Sequence, residues 1–480
     1  MIKQILSKIP RKSSKPDQFD SSRVNSADSC VSPGVTGNSL SSKLNVVKRV
    51  SSAVFPSSIM AGLEAVEPHL PFKDVSNLHK QSLFISKLNF CSDLFDCQQD
   101  VKRQMLIEVV EFISSGSAKF TDQAIAAICK TCANNLFRVF PPKYRSISTG
   151  GEGEEDEPMF DPCWSQLQIL YDLLLQFISS VDPKAAKKHA DHTFVLKLID
   201  LFDSEDPRER DFLKTILHRI YGKFMVHRPF IRKAVSNVIY RFVFETERHN
   251  GIAELLEIFG SVITGFALPL KEEHKLFLLR ALIPLHKPRS IGVYHQQLTY
   301  CVVQFVDKDP KLASTVIKGL LKYWPVTNSQ KELMFISELE EVLEMTGIDE
   351  FHSVMVPLSR RIACCLNSSH YQVAERAHLL YNNDYFMNLV ANNRAVIVPI
   401  VFSALERNAK SHWNQAVVNL THNVKKILCE MDEELVQGCQ RRAEEETSQM
   451  SHAAEKRRLT WERMRASAAD VQTVTCPVAC

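Results

Sequence analysis

From Leu70 onward the chain repeats blocks of about 12 to 20 residues whose apolar side chains recur at i, i+3, i+4 and i+7, the spacing of a helix face, with no intervening strand pattern. Such blocks run over 81–97, 100–115, 121–140, 161–180, 194–202, 206–224, 229–247, 251–266 and 272–286, and continue to about Cys439. Short loops carrying Pro, Asn, Gly or Asp separate them, as at Asp182-Pro183, Asp206-Pro207, Asp309-Pro310 and Trp324-Pro325. Glycine is scarce, 15 of 480 residues, which leaves too few of the turns that an all-β or mixed fold of this length needs. A chain this long exceeds one ordinary core, so an array that grows by stacking is the economical solution. Consecutive helix pairs spaced by roughly 40 residues match HEAT-like repeats, without a strict consensus. The expected fold class is therefore all-α, a HEAT-like α-solenoid.

Three zones follow. Residues 1–70 hold 15 serines and only two aromatic residues, Phe19 and Phe55, too little apolar surface to offset the entropy of ordering; a disordered, serine-rich basic arm is expected. Its first turns, Ile2, Ile5, Leu6 and Ile9 beside Lys3, Lys8, Arg11 and Lys12, read as a basic arm before a membrane-surface helix. Residues 71–436 form the solenoid, interrupted at 146–158 by an acidic, glycine-rich linker. Residues 437–480 form a charged tail, helical or disordered, in which Lys456 to Arg458 reads as a solvated face before a nuclear-import signal.

Composition excludes more than it assigns. Lys plus Arg (58) nearly balance Asp plus Glu (55), so no general field steers nucleic acid, and neither nucleic-acid binding nor stable membrane insertion is expected. No apolar run approaches the ~18 residues of a membrane span, and the amino terminus carries neither a secretory core nor a lipidation signal. The expected compartment is the cytoplasm, with the nucleus also open. Thirteen scattered cysteines suit reduced thiols, and Cys129-x-x-Cys132 reads as core rather than as a redox or zinc site. A P-loop would need glycine where Leu217 stands before Gly222-Lys223. No metalloprotease helix, nucleophile elbow or dinucleotide fingerprint occurs, and His189 and His192 lack an acidic partner at ligand spacing. No catalytic residue, metal or cofactor is expected.

The informative stretch is Asp206 to His274. Asp206, Pro207 and Glu209 read as a capping box opening a helix whose buried stripe is Phe212, Leu213, Ile216, Leu217, Ile220 and Phe224. Lys214, His218 and Tyr221 then share a separate basic and aromatic face. The next helix starts near Pro229 with Arg228 at its mouth. Its successor buries Ile252, Leu255, Leu256, Phe259, Ile263 and Phe266, which leaves Ile258 and Val262 surplus, roughly 90° off the stripe. Periodicity alone balances two uses for that pair: packing between repeats, or an apolar pocket for a peptide with aliphatic anchors and an acidic group.

The runs Leu201-Phe-Asp-Ser-Glu-Asp-Pro-Arg-Glu-Arg-Asp-Phe-Leu-Lys214, His218-Arg-Ile-Tyr-Gly-Lys-Phe224, Glu245-Thr-Glu-Arg-His-Asn-Gly-Ile-Ala-Glu-Leu-Leu-Glu257 and Gly265-Phe-Ala-Leu-Pro-Leu-Lys-Glu-Glu-His-Lys275 closely resemble the B-prime family of protein phosphatase 2A regulatory subunits. Leu321 to Pro325, Glu338 to Val342, Gln372 to Arg376 and His412 to Asn414 extend the resemblance over about residues 70–435, and Met1 to Leu6 with Pro10 to Lys12 is similar to plant members. The resemblance implies about eight repeats, docking on the phosphatase scaffold subunit and catalytic subunit, and a groove for Leu-x-x-Ile-x-Glu peptides of substrate proteins. The positions it marks are Lys214, His218, Arg219, Tyr221, Arg228, Glu257, Ile258, Val262 and His274. Tyr221, Ile258 and Val262 would face the aliphatic anchors; Lys214, His218, Arg219 and Arg228 would favour acidic or phosphorylated positions. Val262 stands where the family favours isoleucine, one methylene fewer, at an expected cost of ~1 kcal/mol of contact. Tyr381 stands where tryptophan is usual. The competing expectation is another helical-repeat adaptor, such as a nuclear-transport carrier, but the Trp-Asn pair such grooves repeat occurs once, at Trp413-Asn414.

Overall fold

The computed structural model describes residues 69–93, 100–140 and 159–474, with side chains to Ala468. The arm over 1–68, residues 94–99 at the end of the first expected block and just past it, and residues 141–158 with the acidic linker lie outside the described residues. Within them every regular element is a helix or helical turn. The blocks predicted from periodicity appear within a few residues of their expected ends, except the first, whose helix Lys80–Phe90 stops seven residues short of 97. The block over 206–224 is Pro207–Lys223, 229–247 is Arg228–Arg241 with a widened turn at Phe242–Thr246, and 251–266 is Ile252–Thr264.

Loop residues work as caps, supplying acceptors to amides that a helix start leaves orphaned. Thr121 receives Ala124 N, Asp191 receives Phe194 N, and Asn328 receives Lys331 N. Asn383 and Asn414 each receive two amides.

The helices stack in two layers. Asp100–Ser114, Trp164–Ser180, Pro207–Lys223, Ile252–Thr264, His295–Lys308, Ser329–Leu343, Tyr371–Leu379 and Gln415–Met431 pack in succession, which makes eight among the described residues. The other layer includes Lys80–Phe90 on Asp122–Leu136 and His192–Asp200 on Arg228–Arg241. Farther along it, Ala313–Lys322 meets Met355–Leu366, then Arg394–Ser411, then the start of Glu433–Val474. Apolar side chains from both layers meet in one continuous core running from Phe84 to Cys439.

The repeat period is written in the hydrogen bonds between neighbours. Asn135 Nδ2 donates to Cys91 O across 44 residues, and Lys223 Nζ to Ile178 O across 45. Lys308 Nζ reaches Phe266 O across 42, and Lys331 Nζ reaches Lys287 O across 44. A buried or half-buried polar group in one repeat thus satisfies a carbonyl in the preceding one, which fixes the stacking register as well as adding stability.

No single helix among the described residues is long and apolar enough to cross a membrane. The pair Asp384–Asn392 and Arg394–Ser411 is apolar enough when combined, but it bends by 111° and buries Val398, Val401, Phe402 and Leu405 in the core. Cys129 and Cys132 are buried free thiols, the former pushed up to about 12 by burial, as core cysteines should be. Cys163 departs from the expected reduced set, being disulfide-bonded.

Tyr381, read as the tryptophan replacement, is fully buried, and its hydroxyl has no partner among the described residues. The ring packs edge-on against Phe386 at 5.3 Å. An unpaired buried hydroxyl costs about 1–3 kcal/mol. Tyr381→Phe is accordingly expected to leave stability unchanged or raise it by about 1 kcal/mol, read as a higher urea midpoint.

Candidate functional site

The site grows from the junction of Pro207–Lys223, Arg228–Arg241 and Ile252–Thr264 with the short helix Glu272–Phe277. The first of these is set by a buried network. Asp206 caps as expected, its carboxylate receiving Arg208 N at 2.9 Å. Glu209 does not return to the cap's amide, which correction has a physical reason. Its carboxylate is wholly buried and taken by Arg138 in a two-pronged pair at 2.8 and 2.6 Å, by Tyr171 Oη at 2.5 Å and by Ser204 Oγ. Two donors from preceding repeats, with the nearby Ser204 hydroxyl, outcompete one local amide. Asp206 N turns instead to Ser204 Oγ.

The Ile252–Thr264 helix is brought close to that network by Gly251, where a Cβ would lie 2.3 Å from the Phe202 carbonyl oxygen. Lys214 then bridges the two helices, with Nζ 2.5 Å from Glu257 and 3.0 Å from Asp211. Burial pulls the Lys214 amine down, but these carboxylates outweigh it and hold the amine above its ordinary value.

Below this bridge a groove of about 350 Å³ opens, lined by His218, Tyr221, Arg228, Val262 and His274 among the expected residues. Val262 and Tyr221 give it a largely buried apolar wall. Arg228 crosses the Tyr221 ring at 5.3 Å and donates to Tyr221 O at 2.9 Å and Gly222 O at 3.1 Å, capping the carboxyl end of the helix that carries His218. His218 is exposed. His274 is buried, stacked on Phe266 with ring centres 3.7 Å apart, and its Nδ1 has no partner among the described residues. Burial lowers the His274 pKa, so the ring is neutral at neutral pH and presents a hydrogen-bonding nitrogen rather than a charge.

Four expected residues do not line the groove. Lys214 and Glu257 are spent on each other, Arg219 is exposed elsewhere on its helix, and Ile258 is buried in the core, the between-repeat packing that periodicity left open. The sequence reading missed Arg232, Lys271 and Glu273, which do line it. Arg232 donates to Tyr221 Oη at 3.2 Å and to Glu273 Oε1 at 2.9 Å. Its signal was available, because Arg232 lies four residues after Arg228 and so shares its helix face. Among the described residues no cluster of three His, Cys, Asp or Glu side chains is arranged to hold a metal.

Fold and groove define a helical-repeat solenoid with a cation-rimmed, apolar-walled slot between successive repeats. A family model described as "Protein phosphatase 2A regulatory B subunit (B56 family)" matches residues 69–468. The chain is 58% identical to the B' kappa isoform of the 57 kDa regulatory subunit of serine/threonine protein phosphatase 2A from Arabidopsis thaliana, covering 99% of this chain and 97% of that one. It is 57% identical to the kappa isoform of Oryza sativa (99% and 96% covered) and 52% identical to the Arabidopsis theta isoform (97% and 98% covered). This chain therefore belongs to the B56 family of protein phosphatase 2A regulatory B subunits, a class that regulates rather than catalyses.

Proposed function

We propose that the chain joins the phosphatase scaffold and catalytic subunits and recruits substrates by seating a Leu-x-x-Ile-x-Glu segment in the groove between Pro207–Lys223 and Ile252–Thr264. The observation that carries this reading is one slot with an apolar wall of Tyr221 and Val262 and a rim of His218, Arg228, Arg232 and Lys271. An extended peptide with aliphatic anchors followed by an acidic group is complementary to both. Glu273 already occupies one arm of Arg232, so an incoming carboxylate exchanges with it for that guanidinium.

The test is fluorescence-anisotropy titration of a labelled Leu-x-x-Ile-x-Glu peptide against the purified chain. Micromolar affinity is expected, tightened by phosphorylated spacers and weakened by salt. His218→Ala, at an exposed position, should weaken binding several-fold. Arg228→Ala, which also removes the helix cap, should weaken it by roughly tenfold or more, about 1.4 kcal/mol. If both variants bind like wild type, the peptide sits elsewhere.

A further inference from the structure

The last helix, Glu433–Val474, is 42 residues long, and the body covers only its beginning. Val436 and Cys439 are buried, whereas every residue from Glu444 to Ala468 is exposed. A single exposed apolar residue on a charged helix is ordinary, whereas a stripe of them is not. This helix presents Met450, Leu459, Trp461 and Met464 at 72%, 46%, 68% and 51% exposure.

Leu459 faces the opposite side at about 180° from Met450, but the other three share a face. At about 100° per residue, Met450, Ala454, Trp461, Met464 and Ala468 fall within one stripe less than about 90° wide, spaced by fours, threes and sevens. Arg457 lies inside the stripe, and Arg458 and Arg465 border it. Arg458 is neutralised by Glu455 at 2.5 Å and Glu462 at 2.6 Å, both turned to the flank. Arg457 and Arg465 make no ion pair among the described residues. Between Met450 and Ala468 five basic residues face two acidic ones.

We propose that Met450 to Ala468 is a docking helix for an acidic partner with a methionine-lined hydrophobic groove, the kind of surface a calcium-sensor protein opens when loaded. Charge complementarity chooses this occupant. A partner's carboxylates rimming an apolar slot satisfy Arg457 and Arg465 while the slot takes Trp461 and the flexible methionines. A second copy fits poorly, because pairing the stripes would set Arg457 against like charge. An anionic membrane surface fits poorly too, since three large apolar residues over about five turns bury little area. The stripe spans about 21 Å from Met450 to Met464, a length that an enclosing two-lobed groove can cover.

The experiment titrates fluorophore-labelled, calcium-loaded calmodulin, used as the acidic-groove probe, with the full-length chain and follows anisotropy. Micromolar or tighter binding is expected, reversed by chelating calcium. Trp461→Ala combined with Met464→Ala should weaken it at least tenfold, and Arg457→Glu with Arg465→Glu should do the same. Both pairs lie on an exposed helix, so unchanged far-ultraviolet circular dichroism and unchanged Leu-x-x-Ile-x-Glu peptide binding certify the fold. Absence of probe binding overturns the proposal, as does binding indifferent to the stripe. So does finding that the stripe variants abolish instead a self-association seen by sedimentation, or binding to phosphatidylserine vesicles or duplex DNA.

Discussion

Glu209→Ala is expected to loosen the helices Trp164–Ser180 and Pro207–Lys223 together, at a cost of about 3 kcal/mol. The carboxylate accepts from Arg138, Tyr171 and Ser204, so its loss strands a guanidinium, a phenol and a hydroxyl at once. The figure sits at the low end for a broken buried pair because the Arg138 side chain keeps 13% exposure and has Asp161 at 3.8 Å as a fallback. The contrast is Lys188 with Asp122, whose side chains are 72% and 63% exposed. Lys188→Ala should change stability by less than about 1 kcal/mol. In a stacked array local opening need not be global unfolding, so the informative readout is amide hydrogen exchange. Faster exchange over both helices, with repeats beyond Ser329 unaffected, is the expected pattern. Because the same helix carries His218 and Tyr221, peptide affinity should fall as well. Uniform protection in the variant would show that the network is dispensable.

That network also marks where sequence reading stops. The helical period, the cap at Asp206 and the shared face of Lys214, His218 and Tyr221 are local facts, set by neighbours two to four positions away, whereas the peptide groove came only with the family resemblance. Glu209 looked like the second half of a capping box because Asp206 lies three residues before it. Its partners Arg138 and Tyr171 lie 71 and 38 residues away, and nothing in the spacing points to them. Ile258 and Val262 were equivalent by periodicity, yet only stacking decides that one is sealed in the core and the other lines the slot. Lys214 carried the right charge on the right face. Glu257, supplied by the neighbouring helix, consumes it. Composition likewise described the tail as charged, helical or disordered. The exposure of Trp461 and Met464 becomes a feature once the body is seen to cover only the turns from Leu435 to Ala443.

Glu338→Gln should abolish a pH dependence of stability that wild type shows on the alkaline side. Glu338 is wholly buried and accepts from His286 Nε2 at 2.9 Å, His295 Nε2 at 3.0 Å and Thr299 Oγ1 at 3.1 Å. His286 is also buried, and its Nδ1 faces the Ile283 carbonyl at 2.9 Å. With an acceptor at each ring nitrogen, the protonated imidazolium satisfies both contacts and the neutral ring only one. Burial pulls the His286 pKa down, but Glu338 outweighs it and the net shift is upward. Burial pushes Glu338 up, and the two histidines more than reverse that, lowering it to about 2. A histidine raised in the folded state contributes stability that is full below its unfolded value of 6.5 and is lost as pH rises through the folded value. A depressed carboxylate contributes stability present above 4.5 and lost as pH falls toward about 2. The pair therefore stabilises most between pH 4.5 and 6.5, and wild type should weaken as pH climbs from there. Urea midpoints measured from pH 6 to 9 for wild type and Glu338→Gln isolate the contribution of the Glu338 cluster, since titrations away from it are common to both. At pH 6 the variant should be less stable by about 3 kcal/mol, having left His286 without its counter-charge. As pH rises through the folded value of the wild-type histidine the two curves should converge, because that ring then becomes neutral too. Parallel curves across the range would mean that the buried imidazole never carries the charge.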